Sequence, residues 1–271
     1  MMRRLPPFVL SLFLVLSANA VGASVGANAV AGMAGARRGS PLEVFLKAEY
    51  PQRPAPGLIA GKGEWEEAGP EGTYLRWVCA EASPVGEYRL LAVCGALESG
   101  AHPDGGILDL YVMRMNTSGA LEVVVREKGI ESGGGTYGYP EVVSVMRIGR
   151  RKYGFVLEHG VEYGDYGVER VRIMAAGPGG IREVARWQTH EESGLPVRCG
   201  DEAARVMDDA IQFTSTWSFD RRASRLNMWP LKIKVRGRNE CQSISGRYRI
   251  PFDAQAGLYR IPESELSWEL E

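Results

Sequence analysis

The sequence predicts a mainly β (α+β) protein: an antiparallel meander that closes as a sandwich, a barrel or a propeller-like stack and carries two short helices. Three observations lead there. Between Ile107 and Trp187, six β-rich runs come in pairs, each pair joined by a turn that contains glycine. The chain holds 34 glycines, many of them between apolar runs, as strands linked by tight turns require. Val168-Glu169-Arg170-Val171-Arg172-Ile173 alternates apolar with charged residues, the period of a strand with one wet face.

The first element after the N-terminal region is a helix. Ser40-Pro41-Leu42-Glu43 is a capping box with proline at the first helical position, and Leu42, Phe45 and Leu46 share one face. Pro51 stops it, and Pro54 and Pro56 hold the next stretch extended. Two apolar runs, Tyr74 to Ala80 and Tyr88 to Ala96, flank a polar turn and read as a hairpin. The meander follows: Ile107 to Met115 with Leu121 to Arg126, Glu141 to Ile148 with Tyr153 to Glu158, and Val168 to Ala176 with Ile181 to Trp187. Alternation is lost in Ile107-Leu108-Asp109-Leu110-Tyr111-Val112, which predicts a strand covered on both faces. Gly200-Asp201-Glu202 is expected to open a second helix with Val206, Met207, Ala210 and Ile211 as its apolar stripe. Gln212 to Phe219 and Met228 to Val235 return to β. The echo Tyr248-Arg249-Ile250-Pro251 and Tyr259-Arg260-Ile261-Pro262 is expected to form a last hairpin about residues 253–257.

The domain expectation is residues 40–190 as helix plus meander, with 191–271 packed on the same domain. Residues 1–20 read as a cleavable secretory signal: Arg3-Arg4, the apolar run Phe8 to Ala18, and the small-x-small site Ala18-Asn19-Ala20. Residues 21–39 are then a Gly/Ala-rich flexible N-terminus. An uncleaved anchor is the competing reading, because no charge follows until Arg37, but a span needs about 20 strongly apolar residues and this stretch is mostly small ones. The expected location is periplasmic or secreted.

Four cysteines in an exported chain suggest two disulfides, Cys79–Cys94 across the first hairpin and Cys199–Cys241. No C-x-x-C spacing or neighbouring histidine suggests a metal, so no metal ligand and no cofactor is expected. Formal charge is −1 for the whole chain, and loses Arg3 and Arg4 with the signal. That near-neutral balance predicts neither nucleic-acid binding nor strong association with an anionic membrane once the signal is gone.

No catalytic motif is found. His190 heads His190-Glu191-Glu192-Ser193-Gly194, which lacks the second histidine of a zinc-protease helix, and His102 sits in a turn-like stretch. The richest segment, 158–166, packs Glu158, His159, Glu162, Tyr163, Asp165 and Tyr166 into what reads as an inter-strand loop. It lacks the spacing of a calcium loop. In a meander it falls at the same end as the loop carrying Tyr137 and Tyr139, so Tyr137, Tyr139, Glu158, Tyr163, Asp165 and Tyr166 are expected on one rim, with His159 and Glu162 as further binding candidates. The functional expectation is an exported non-enzymatic binding protein that recognises a protein or a cell-envelope polymer through that rim. An inhibitor or immunity-type protein is one member of that class. An envelope carbohydrate-active hydrolase using loop carboxylates and a structural β module of an envelope assembly are the alternatives.

Overall fold

A computed structural model describes residues 39–52, 65–69, 71–83, 88–101, 104–133, 138–163, 166–193, 197–198, 206–207, 211–239 and 242–262. The signal and its following segment, the Cys199–Cys241 pair, Tyr137, Asp165 and His102 lie outside them.

The helix forms where the capping box places it. Helix α1 spans Pro41–Glu49, with the Ser40 side chain accepting the Glu43 N–H at 3.1 Å and Leu42 and Leu46 buried. Five strands follow as a first antiparallel sheet in chain order: β1 (Trp65–Gly69), β2 (Gly72–Ala82), β3 (Tyr88–Leu97), β4 (Gly106–Met115) and β5 (Leu121–Ser132). The chain then crosses to a seven-stranded sheet. Its strands β6 (Val142–Arg147), β7 (Tyr153–Tyr163), β8 (Tyr166–Gly177) and β9 (Gly180–Ser193) run in order. They continue to β12 (Ile211–Phe219), β13 (Leu231–Asn239) and β14 (Gln242–Ile250), with the ladder β10 (Val197–Arg198) and β11 (Val206–Met207) inserted after β9. A final two-residue ladder joins β15 (Phe252–Asp253) to β16 (Leu258–Tyr259).

The six-strand meander is therefore divided between two sheets, with the break after β5. The three predicted hairpins pair as expected. The second helix does not: Val206 and Met207 are extended against Arg198 and Val197, and Ile211 begins a nine-residue strand. An i, i+4 apolar spacing over so short a stretch also fits residues from two successive strands, and pairing onto β9 and β13 satisfies the backbone of Ile211 that a helix end would leave open. The last hairpin is likewise shorter than expected. Tyr248, Arg249 and Ile250 pair with β13, leaving only Phe252 and Asp253 to face Tyr259 and Leu258.

Three apolar clusters follow from strand alternation. On β3, Leu90, Ala92 and Cys94 point to the seven-stranded sheet, where with Leu108 and Leu110 they meet Val143, Phe155, Leu157 and Met174. Leu91 and Val93, with Tyr111 and Met113, point the other way and are covered by Leu42, Leu46, Tyr50 and Trp65. The first sheet is thus buried on both faces, which is why Ile107 to Val112 shows no alternation. The seven-stranded sheet curls around a third cluster, a half-barrel whose inside holds Trp187, Phe213, Phe219, Leu231, Ile233 and Val235. There Trp187 meets Trp217 edge-on at 5.3 Å, and Tyr259 closes over Phe219 while donating its hydroxyl proton to the Trp229 carbonyl at 2.7 Å.

Cys79 and Cys94 form a disulfide with Cα atoms 5.6 Å apart. Cys94 is opposite Trp77 rather than Cys79: the ladder slips at Cys79, and this bulge swings its sulfur to the face that Cys94 occupies. The cross-link closes a hairpin separated by 15 residues, and the chain-entropy relation makes that worth about 3 kcal/mol. The double variant C79A/C94A is expected to lose about that much stability in urea titration while keeping its β circular-dichroism spectrum.

Candidate functional site

Of the expected rim and binding residues, Glu158, His159, Glu162 and Tyr163 lie along β7. Glu158 and His159 are not in a loop: His159 pairs with Arg170, Gly160 with Glu169, Val161 with Val168, Glu162 with Gly167 and Tyr163 with Tyr166. Hydrophobic alternation continues through His159, Val161 and Tyr163, and only two residues, Gly164-Asp165, separate the paired tyrosines, the length of a tight hairpin connection. Val142, the first residue of β6, pairs with Glu158 midway along β7. Tyr139, 62 % exposed, and Tyr166, 42 % exposed, are both at the surface.

The chemistry of those residues is mixed. His159 is buried. Glu158 has its pKa raised by burial and then by the nearby charge of Glu169, a second carboxylate that the sequence order hides because it stands on the returning strand. Among the described residues, no group of three His, Cys, Asp or Glu side chains is placed to hold a metal ion.

Two buried polar clusters organise the fold rather than present a surface. Arg76 and Asp109, each 1 % exposed, form an ion pair under α1. Asp109 also accepts the Tyr50 hydroxyl at 2.6 Å and the Gly129 N–H at 2.8 Å. At the crossover, Glu141 accepts from Ser132 Oγ at 2.8 Å and from Arg172 Nε at 2.9 Å, tying β5, the crossing segment and β8 together.

A third arrangement does face solvent, on β12, β13 and β14. Their register aligns Thr214 with Arg236 and Ser245, Thr216 with Lys234 and Arg247, and Ser218 with Lys232 and Arg249. Alternate residues of the same strands, among them Phe213, Phe219, Leu231, Ile233, Val235 and Ile250, fill the half-barrel. The other nine positions therefore point outward as five cations and four hydroxyls, with no apolar side chain among them. A groove of about 380 Å³ lies across these strands, lined by Thr216, Ser218, Lys232, Lys234, Arg247 and Arg249 together with Trp217, Ile233 and Tyr248.

One edge of the nine is neutralised internally. Asp220, where β12 ends, receives Lys232 Nζ and Arg249 Nε at 2.9 Å each, and these hydrogen bonds lower its pKa to about 2. Lys234, Arg236 and Arg247 have no acidic partner among the described residues. Residues 211–250 contain nine Lys and Arg but only two acids, Asp220 and Glu240, inside a chain of net charge −1. The near-neutral total averages this asymmetry away; charge counted segment by segment reveals it, and strand register turns it into a face.

No protein-family model matches the chain, and neither does any curated protein or solved structure. The disulfide is compatible with an oxidising extracellular compartment. Among the described residues no helix is long and apolar enough to cross a membrane.

The raised pKa of Glu158 makes a signed prediction. A carboxyl whose folded pKa lies above its unfolded value is held preferentially protonated by the fold, so its ionisation opposes folding as pH rises through that range. Glu158→Gln is expected to melt higher than the parent at pH 7, with the gap closing below about pH 4, where both carboxyls are protonated. Thermal melts across pH 3 to 8 check it; an equal or lower melting temperature at pH 7 contradicts the assignment.

Proposed function

We propose that this chain is an exported, non-catalytic binding protein of the periplasm or the extracellular space, and that it recognises an anionic partner through the outward face of β12, β13 and β14. The observation that carries the reading is the sorting of those strands: apolar residues inward, and five cations with four hydroxyls outward, three of the cations lacking an acid partner among the described residues. Basic residues concentrated on one face of a near-neutral chain are a recognition device more than a solubility device, because they steer and hold a partner of opposite charge. The disulfide and the N-terminal Arg3-Arg4 and Phe8 to Ala18 pattern support the exported location.

A second reading is favoured by one observation: Tyr139 and Tyr166 remain exposed, which keeps tyrosine-mediated capture of a protein partner open. Inhibitor or immunity-type action belongs to that reading.

The two are separated by comparing retention of solubilised envelope material on the immobilised mature protein. K234E/R247E is expected to abolish retention and Y139A/Y166A to leave it intact, with circular dichroism unchanged in both. Loss with the tyrosine pair and not with the charge pair would move recognition to the tyrosine surface.

A further inference from the structure

We infer that the basic face takes a phosphate-bearing polymer, with phosphodiester groups seated over Lys234, Arg236 and Arg247; the inference rests on the anionic-partner reading and names its class. The face lacks an apolar centre. Stable protein–protein interfaces are centred on buried aromatic or aliphatic anchors, and here all nine outward positions are polar or charged. A protein partner would meet only a polar rim with no centre. A flexible polyanion needs no such anchor.

The spacing of the cations adds to this. Lys234 and Arg247 are register partners on adjacent strands, about 4.8 Å apart at the backbone, and Arg236 is two residues along β13 from Lys234, roughly 6.7 Å. Three cationic side chains this close converge on one anion more readily than on three separate ones. Thr216, in register with Lys234, and Ser245, in register with Arg236, add hydroxyl donors to the same cell. A tetrahedral phosphodiester offers two charged and two ester oxygens to such a ring of donors, whereas a carboxylate offers two oxygens in one plane.

Asp220 already binds Lys232 and Arg249, so among the described residues the field is strongest at Lys234, Arg236 and Arg247 and weaker where β12 ends. The groove across the three strands is lined by Lys234 and Arg247, so a chain of linked anions lying in it passes two of the three cations, with Arg236 two residues further along β13.

Fluorescence anisotropy with labelled poly(glycerol phosphate), poly-L-glutamate and polygalacturonate of matched charge tests it on the disulfide-intact mature chain in 0.15 M salt. Poly(glycerol phosphate) is expected to bind about tenfold or more tighter than either carboxylate polymer, since charge-assisted bonds to phosphate use the full donor set. T216A/S245A should erode that preference, and K234E/R236E/R247E should weaken binding of all three polymers. Equal affinity for the three polymers overturns the phosphate assignment and leaves the basic face standing. No binding to any polyanion, or unchanged binding by the charge-reversed chain, overturns both.

Discussion

A guanidinium cannot be left alone in a protein interior, and the first sheet is arranged around that constraint. Arg76 lies under α1 against Asp109, with Glu67 Oε2 3.0 Å from its Nε. Its register partner is Gly95, where a Cβ would stand 2.7 Å from Arg76 Cδ and Nη1, so the glycine is the space in which the arginine lies. The second oxygen of Asp109 is satisfied by the Gly129 N–H. That donor is available because β5 bulges there, with Lys128 and Gly129 opposite the single residue Asp109 and Gly129 at φ +68°.

The same pair fixes where α1 sits. Tyr50, the residue after the helix, donates to Asp109 and lies 2.8 Å from the Tyr111 hydroxyl; burial, then the Asp109 and Tyr111 neighbours, push its pKa far up, so it stays a neutral donor. Glu49 receives Arg126 and Lys128 from β5 at 2.9 and 3.1 Å. With one face of the first sheet closed by the helix, its other face is left to pack on the seven-stranded sheet. That sheet, covered there by the first, curls around its own core and turns the alternate residues of its last three strands to solvent. Breaking a buried pair of this kind by removing one partner typically costs about 3–5 kcal/mol, because the other charge stays buried.

Much of this was legible in the sequence. Local signals carry α1, the three hairpins and Cys79–Cys94, because each depends on residues within about twenty positions of one another. The segment from Glu158 to Tyr163 reads as a loop in the sequence because charged residues and Gly160 interrupt a strand whose alternation persists underneath. The short apolar stripe near Val206 fitted a helix and two strands equally well. Arg76 and Asp109 lie 33 residues apart, and nothing in the local pattern pairs them. The cationic face was the costliest omission. Lys234, Arg236 and Arg247 read as scattered surface charge until the registers of β12, β13 and β14 align them, so the face is a property of pairing rather than of any one segment.

The central claim is that the outward side of those three strands is where the partner sits. Amine footprinting tests it most directly: the disulfide-intact protein is acetylated under limiting reagent with and without poly(glycerol phosphate), and each lysine is read by mass spectrometry. Lys234 is expected to be protected several-fold while Lys47 and Lys152, far in sequence and outside β12, β13 and β14, are modified at unchanged rates. Uniform protection of all lysines, or protection that spares Lys234, would contradict it.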